Sequence, residues 1–228
     1  MGTSFRALRA RRRTVQISCR SGADLVQQRF DKERGRPYVP FMSWLYIDYG
    51  LWLVIIAAWL AAAPFAKKTV RRETRGMQAR YLAPIILIAA VVELQMPFPG
   101  LASRIVPAAT WAGVLSVVLT AAGIAFALWA RFTLGRNWSG TVTVKEGHEL
   151  VRRGPYALAR HPIYSGVVLA VVGTALAVGT VRALLVVVPL VLVLRLKMRN
   201  EEEMMTGEFG EEYAEYRKRV KGLVPYVW

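Results

Sequence analysis

Long apolar segments alternate with short polar ones along this chain, and the lengths of the apolar segments predict membrane-spanning helices. Three of them lie in the first half of the chain, at Trp44–Phe65, Tyr81–Phe98 and Pro107–Ala130. The first carries one charged residue, Asp48, the second carries Glu93, and the third carries none. Each has about the 20 residues that a helix needs to cross a bilayer, so we predict three transmembrane helices in this half.

A fourth apolar region, Ile163–Leu194, is too long for one span. As a single helix it would measure about 48 Å at the usual rise per residue, against a hydrocarbon core of about 30 Å. Its one charged residue, Arg182, follows Gly179 near the middle and would lie in lipid if the region were one tilted helix. We therefore predict a helical hairpin over residues 163–196 that turns around Gly179 to Arg182, giving about five transmembrane helices.

After the hairpin, apolar residues recur at steps of three and four and predict an amphipathic helix. The residues that form its apolar face are Met205, Phe209, Tyr213, Tyr216 and Val220. Glu201 to Glu203 lie at its predicted start and Arg217 to Lys221 at its end, an arrangement that suits the helix dipole. The predicted fold class is thus an all-α integral membrane protein with a cytoplasmic C-terminal helix at the membrane surface.

Composition and charge agree with this class. The 228 residues are 54% hydrophobic and yet carry a formal net charge of +16, and the charges are segregated from the apolar segments. A basic nucleic-acid-binding protein is polar on average, so we expect membrane lipids as partners and no nucleic acid. The single cysteine, Cys19, excludes an internal disulfide, and two histidines thirteen residues apart without a third ligand predict no metal site.

The basic residues predict an orientation in the membrane. Residues 67–80 and 131–162 hold six Lys or Arg each, and seven follow Leu194, whereas the loops around Arg104 and Arg182 hold one each. Five spans place the three basic segments on one side, which is the cytoplasm by the positive-inside rule.

Residues 1–42 form a basic leader that conflicts with this orientation. Ten Lys or Arg precede residue 41, and five spans place them outside. Three alternatives remain open: the native chain starts at Met42, the leader lies along the membrane surface, or it is a disordered charged arm.

The polar segment 131–162 contains both histidines together with many Gly, Pro and aromatic residues. Irregular polar backbone at a membrane surface commonly lines a cavity, and Glu201 and Glu202 emerge from the last span beside it. The alternative is a solvated connector whose arginines reach into the lipid headgroups. No phosphate-binding Gly-rich loop and no serine or cysteine nucleophile with a partner set is present, which excludes soluble nucleotide folds and triad hydrolases.

Two motifs in these segments resemble a known family. The run His148-x-Leu-Val-x-x-Gly-Pro-Tyr156-x-x-x-Arg160-His-Pro-x-Tyr164-x-Gly166 resembles the signature of the isoprenylcysteine carboxyl methyltransferase family. The later run Glu201-Glu-x-x-Met-x-x-x-Phe-Gly-x-x-Tyr213-x-x-Tyr216 is similar to the closing motif of that family. The pattern is shared by phospholipid N-methyltransferases and, more loosely, by membrane sterol reductases, and it covers about Phe132 to Tyr226.

The resemblance implies an integral membrane enzyme that uses S-adenosylmethionine in a pocket facing the cytoplasm. Residues 43–130 would then supply three spans and residues 131–228 the cofactor-binding catalytic region. The cofactor-binding residues that the resemblance implies are His148, Glu149, Leu150, Val151, Tyr156, His161, Pro162, Ile163, Tyr164 and Glu201. Arg160 and Glu202 would support the reacting centre, and Lys197 stands where the family usually has a substrate-binding arginine. Lysine meets a carboxylate only as a point charge, so this departure bears on acceptor recognition.

The leading hypothesis is therefore an S-adenosylmethionine-dependent methyltransferase acting on a lipophilic small molecule or lipidated acceptor. The acceptor group is left open between a prenylcysteine-type carboxylate, a phospholipid or other lipid amine, and a thiol. One alternative is an NADPH-dependent membrane reductase of related fold, in which Arg152 and Arg153 would meet the 2′-phosphate. Another is a membrane protein that keeps the architecture without the activity.

Overall fold

The computed structural model describes residues 41–67, 69–72, 100–138, 143–145 and 149–223, with four single positions between residues 74 and 83. The chain divides into two units after Val39, and all of these residues belong to the second unit. The basic leader, nearly all of the predicted second span and His148 therefore lie outside the described residues.

Two long apolar helices occupy the positions of the first and third predicted spans. Helix α1 covers Phe41–Ala62 and helix α2 covers Thr110–Leu134, and each is followed by a 3₁₀ turn, at Ala63–Phe65 and at Gly135–Asn137. In the described part of the chain, these are the two helices whose length and composition allow them to cross a membrane.

The fourth apolar region folds as one helix, a turn at Gly179, a short second helix and the first turns of a longer third helix. Helix α3 covers Pro162–Val178, with proline at a first-turn position where the missing N–H costs nothing. Gly179, at φ 69°, ends α3 in the left-handed conformation that favours glycine. Thr180 then caps the short helix α4, Val181–Leu185, by accepting a hydrogen bond of 3.3 Å from the backbone N–H of Ala183.

The loop around Arg104 fastens this turn. The guanidinium of Arg104 donates to the carbonyls of Val178 and Ala177 at the end of α3, and the N–H of Ile105 donates to the Gly179 carbonyl. A cation at the carboxyl end of a helix satisfies carbonyls that have no partner within the helix. The loops around Arg104 and Arg182, which are both poor in basic residues, thus lie together in the structure.

The C-terminal region corrects the predicted amphipathic helix. Helix α5 covers Val187–Phe209 without interruption, so Glu201 to Glu203 lie inside it and do not begin a separate helix. No Gly or Pro occurs between residues 190 and 206, and the residues there favour helix, so nothing ends α5 where the apolar run stops. The chain bends at Gly210, at φ 51°, and the shorter helix α6 covers Glu211–Arg219.

Two short strands also depart from the all-α prediction. Strand β1, Thr69–Arg72, pairs antiparallel with strand β2, Thr143–Lys145. Each belongs to a polar segment that follows one of the long helices. The described part of the chain is therefore mainly helical, and this small sheet lies beside the helix ends.

Helices α2 and α3 cross at very close range through small residues. A Cβ atom added to Gly123 would lie 2.4 Å from the carbonyl oxygen of Gly166, and one added to Gly166 would lie 2.7 Å from the backbone nitrogen of Ala127. Ile55 of α1 packs on this crossing with Ile124, Ala127 and Ala170. Small residues allow such backbone contact between membrane helices, and here they fix the start of α3 against α2.

Candidate functional site

A cavity of about 340 Å³ lies where the ends of α1, α2 and α5 meet the start of α3. Nine of the ten predicted cofactor-binding residues line it, and the tenth, His148, lies outside the described residues. The nine are Glu149, Leu150, Val151, Tyr156, His161, Pro162, Ile163, Tyr164 and Glu201. Two of the three predicted catalytic residues, Arg160 and Lys197, line it as well, and Glu202 lies behind them. Residues far apart in sequence are therefore brought to one place.

The backbone of Arg160 and His161 is held by the segment 220–223, which we call the C-terminal strap. The N–H of Arg160 donates to the carbonyl of Lys221 at 2.8 Å, and the N–H of His161 donates to that of Gly222 at 3.0 Å. The hydroxyl of Ser165 donates to the Leu223 carbonyl. These bonds satisfy groups at the start of α3 that have no partner within the helix, so the strap fixes both side chains.

His161 lies between two carboxylates that are adjacent on α5. Its Nδ1 is 3.1 Å from Glu201 Oε2 and its Nε2 is 3.2 Å from Glu202 Oε1, and the ring is buried. Burial opposes a charge on the ring, but the two carboxylates outweigh it and raise the pKa of His161 above its usual value. The imidazolium is the form that donates to both neighbours.

Arg160 joins Glu202 to the strap. Its Nε and Nη2 donate to Glu202 Oε1 at 2.9 and 2.6 Å, and its Nη1 donates to the Val220 carbonyl at 2.5 Å. Burial alone would raise the pKa of Glu202, but hydrogen bonds from His161 and Arg160 lower it to about 2. Most donors of Arg160 are thus engaged within the protein.

Glu201 is the carboxylate that faces the cavity. The hydroxyl of Tyr164 donates to its Oε1, and the ring of Tyr164 stacks on that of His161 with centroids 5.7 Å apart and planes 5° from parallel. The Nζ atom of Lys197, one turn earlier on α5, lies 5.4 Å from the centroid of Tyr164. Burial would raise the pKa of Glu201, but the bond from His161 and the charges of His161 and Lys197 lower it.

Tyr156 and the two tyrosines of α6 close the polar side of the cavity. Tyr156 is buried in the 3₁₀ turn Gly154–Ala157, and its carbonyl accepts a bond of 2.6 Å from the hydroxyl of Tyr216. Burial raises the pKa of Tyr156 and Tyr213 above the ordinary range and that of Tyr216 to about 12. All three phenols are neutral at physiological pH and act as hydrogen-bonding and packing groups.

Nine further lining residues were not predicted: Trp59, Leu134, Asn137, Trp138, Val167, Leu194, Met205, Tyr213 and Tyr216. Tyr213 and Tyr216 belong to the closing motif, so their position in that motif was an available signal. Trp138 lies in the polar segment after α2, where an aromatic residue beside basic ones marks an interface. Nothing in the sequence connects Trp59, at the end of α1, with residues a hundred positions later.

The site offers binding and charge without a nucleophile. Among the residues that the structure describes, no serine or cysteine lines the cavity and no cluster of three potential metal ligands occurs. Its charged lining residues are Glu149, Arg160, His161, Lys197 and Glu201. Such a site can orient a polar, charged molecule against an apolar one and can exclude water.

Comparison with known proteins matches part of this chain to one family. A sequence model of the isoprenylcysteine carboxyl methyltransferase (ICMT) family matches residues 115–207. Protein-S-isoprenylcysteine O-methyltransferase B of Arabidopsis thaliana is 28% identical over 149 residues, which are 64% of this chain and 73% of the plant protein. The mouse protein-S-isoprenylcysteine O-methyltransferase is 32% identical over 125 residues, which are 52% of this chain but only 43% of the mouse protein.

A solved structure shares the fold. The eukaryotic intramembrane Ras methyltransferase, an isoprenylcysteine carboxyl methyltransferase, superposes with a TM-score of 0.50 at 21% identity, over 69% of this chain and 55% of that one. The fold of this chain is therefore similar to that of a solved methyltransferase, and residues 115–207 are similar in sequence to the isoprenylcysteine carboxyl methyltransferase family that the two motifs resemble.

Proposed function

We propose that this protein is an integral membrane methyltransferase that uses S-adenosylmethionine to methylate a lipophilic acceptor, of which a prenylcysteine-type carboxylate is the leading candidate. One observation carries the proposal. The two family motifs, separated by the α3–α5 hairpin in sequence, meet in one cavity whose lining includes nine of the ten residues expected to bind the cofactor.

The cavity suits S-adenosylmethionine in size and in chemistry. Its volume of about 340 Å³ falls in the range of small-molecule sites. The carboxylates of Glu149 and Glu201 provide acceptors for the hydroxyl groups of a ribose or for an ammonium group. The rings of Tyr156 and Tyr164 line the cavity and provide aromatic contacts for a flat base. When bound, the cofactor supplies an activated methyl group that passes from sulfur to the acceptor oxygen, the C–S bond breaking as the C–O bond forms.

The residues of this chain need only bind, orient and exclude water, because an ionised carboxylate acceptor requires no general base. Glu201, held by Tyr164 and His161, keeps a fixed negative charge at the cavity wall. Arg160 and Glu202 hold His161 and the strap in place and thereby orient Glu201. Because Arg160 and Glu202 are bonded to each other, we propose that both position other groups of the site.

Lys197 is the cation placed for the acceptor. It lines the cavity one helical turn before Glu201. Because an ammonium group binds a carboxylate less directionally than a guanidinium does, the acceptor is recognised chiefly through its apolar part. The site faces the cytoplasm in the orientation predicted by the basic segments.

Transfer of a labelled methyl group tests the proposal and its alternatives together. Purified protein in detergent is incubated with methyl-labelled S-adenosylmethionine and one of three acceptors: S-farnesylcysteine, an aminophospholipid, or an apolar thiol. We expect label in S-farnesylcysteine in a form that mild alkali releases as methanol, because only a methyl ester hydrolyses in this way. Alkali-stable label in the amine or the thiol would identify another acceptor, and no transfer to any acceptor would contradict the proposal.

The geometry does not favour the NADPH-dependent reductase. Arg152, one of the two residues expected to meet a 2′-phosphate, pairs with Glu212 at 2.6 Å, and neither Arg152 nor Arg153 lines the cavity. The cations that do line the cavity are Arg160, which is already bonded to Glu202, and Lys197, which lies one helical turn before Glu201.

A further inference from the structure

Arg131, near the end of α2, is buried in an unusual setting. Its side chain is almost fully enclosed, and no carboxylate of the described residues lies within ion-pairing distance of it. Its Nη1 donates to the carbonyl of Gly135 at 2.9 Å and its Nη2 to that of Ala62 at 3.2 Å. These carbonyls lie at the carboxyl ends of α2 and α1, where the helix dipoles are negative. Two helix ends thus replace the missing counter-ion.

The guanidinium also lies on the indole of Trp138. Its Cζ is 4.4 Å from the centroid of that ring, within the range of a cation–π contact. Trp138 in turn packs against Trp59 of α1, with centroids 6.4 Å apart and planes tilted by 38°. Arg131 therefore contacts two helix ends and the indole of Trp138, which packs on that of Trp59. We call the two indoles the tryptophan wall.

The tryptophan wall lines the cavity from the side of α1 and α2. The charged lining residues come from other elements, the segment before α3, the start of α3 and α5. The same ends of α1 and α2 carry apolar side chains that face outward, since Leu60, Phe65 and Phe132 are each more than 60% exposed. An apolar ligand chain that contacts the wall can therefore extend toward lipid. A ligand group on the side of α3 and α5 instead contacts the charged lining residues.

We propose that Trp59 and Trp138 form the surface on which the apolar chain of the acceptor packs, and that Arg131 is the residue that positions this surface. The inference rests on the proposed function and adds the residues that select the acceptor's chain. Large, rigid aromatic rings give extensive apolar contact with little loss of side-chain freedom. The wall favours long chains over short ones because each added isoprene unit buries more apolar area.

Direct binding measurements separate this inference from catalysis. The dissociation constants of S-prenylcysteine, S-geranylcysteine and S-farnesylcysteine are measured on purified protein, together with that of S-adenosylhomocysteine. The variants are Trp138→Ala, Trp138→Phe, Arg131→Gln and Arg131→Lys. Trp111→Ala and Arg136→Gln serve as matched controls, because neither residue lines the cavity.

We expect Trp138→Ala to weaken binding of S-farnesylcysteine about tenfold and that of S-prenylcysteine by about twofold. Trp138→Phe should retain most of the affinity. Arg131→Gln should weaken S-farnesylcysteine binding more than S-prenylcysteine binding, as Trp138→Ala does, and Arg131→Lys should bind S-farnesylcysteine more tightly than Arg131→Gln. In all four variants the dissociation constant of S-adenosylhomocysteine should change less than about twofold.

Three results would overturn the inference: an equal loss for all chain lengths, a parallel loss of S-adenosylhomocysteine binding, or no binding of any acceptor to the unaltered protein. A protein that binds the acceptors in the expected order but not S-adenosylhomocysteine would contradict the proposed function and leave the wall supported.

Discussion

At the scale of single residues, the site is organised around one imidazole with a carboxylate on either side. Glu201 and Glu202 are neighbours in sequence, and a helix directs adjacent side chains about 100° apart, so one ring can bridge them only if it approaches from between. His161 does so because the C-terminal strap fixes its backbone. The arrangement makes the charge of Glu201 depend on the proton carried by His161.

This dependence predicts how stability changes with pH. The pKa of His161 is raised, so its stabilising charge is fully present below its unfolded value of 6.5 and is lost as pH rises through the folded pKa. The pKa values of Glu201 and Glu202 are lowered, so their contribution is present above 4.5 and is lost as pH falls. The destabilisation caused by His161→Gln should therefore be largest between about pH 4.5 and 6.5 and should shrink at higher pH.

Thermal unfolding of the two proteins in detergent, followed across this pH range and above it, checks the prediction. Glu203→Gln is the control, since Glu203 follows the pair on α5 without lining the cavity. A difference in Tm that stays constant with pH, or grows as pH rises, would show that His161 carries no proton in the folded state.

The sequence predicted His161, Glu201 and Glu202 as site residues through the family motifs, but it did not predict the contacts between them. It did not predict that Arg160 would be engaged by Glu202 and the strap, because those partners lie 42 and 60 positions away. It also gave no sign of Trp59, whose contribution depends on how α1 packs against α2.

At the scale of helices, the structure depends on the α2–α3 crossing. Thr120 Oγ1 donates to the Ala170 carbonyl at 3.3 Å across it, and Gly123 and Gly166 bring the two backbones into contact. Apolar length alone predicted both helices. Their crossing could not be predicted in the same way, because small residues also occur on lipid-facing surfaces.

Gly123→Ala should therefore destabilise the protein by about 2 kcal/mol or more, since its Cβ would meet fixed backbone atoms at 2.4 and 2.5 Å. Gly50→Ala on α1 is the matched control, because nothing lies within 4 Å of its added Cβ and alanine favours helix. Urea or thermal unfolding in detergent compares the two variants. Equal stability of the two would mean that the helices do not cross at this distance.

Asp48 gives a second prediction for the helix core. It is fully buried, and the hydroxyls of Ser116 and Thr120 face its carboxylate without forming a hydrogen bond of good geometry. The nearby hydroxyls of Ser116 and Thr120 already donate to the carbonyls of Gly113 and Ala170. They therefore present lone pairs, which a charged carboxylate cannot use.

Asp48→Asn should consequently leave the protein as stable as before or more stable, because the amide supplies donors and carries no charge. Asp48→Ala, which leaves a cavity, should lower the Tm. Thermal unfolding of both variants decides the matter. A loss for Asp48→Asn as large as that for Asp48→Ala would show that the negative charge itself is needed.

At the scale of the whole molecule, the basic segment 131–162 and the basic segment after Leu194 converge on one end of the helices. The loops around Arg104 and Arg182, which are poor in basic residues, meet at the other end. The hairpin accounts for this arrangement, because it returns the chain to the side from which it came. Segregation of charge along the sequence predicted the arrangement. The extension of α5 beyond the apolar run was missed, since helices do not end where hydrophobicity ends.

Cysteine labelling tests the orientation that we propose. In a Cys19→Ser background, Ala102→Cys places a thiol in the loop that fastens the hairpin turn, and Lys218→Cys places one on exposed α6. A membrane-impermeant maleimide added to intact cells should label Ala102→Cys and should reach Lys218→Cys only after permeabilisation. The reverse pattern would place the site on the outer face.

The central claim, that the cavity holds S-adenosylmethionine, is tested most directly by calorimetric titration of the purified protein with S-adenosylhomocysteine. We predict a dissociation constant on the order of micromolar, weakened at least about tenfold by Glu201→Gln and unchanged by Glu203→Gln. Absence of binding to folded protein, or binding that Glu201→Gln does not affect, would contradict the account. Binding of NADPH in its place would assign the cavity to a reductase.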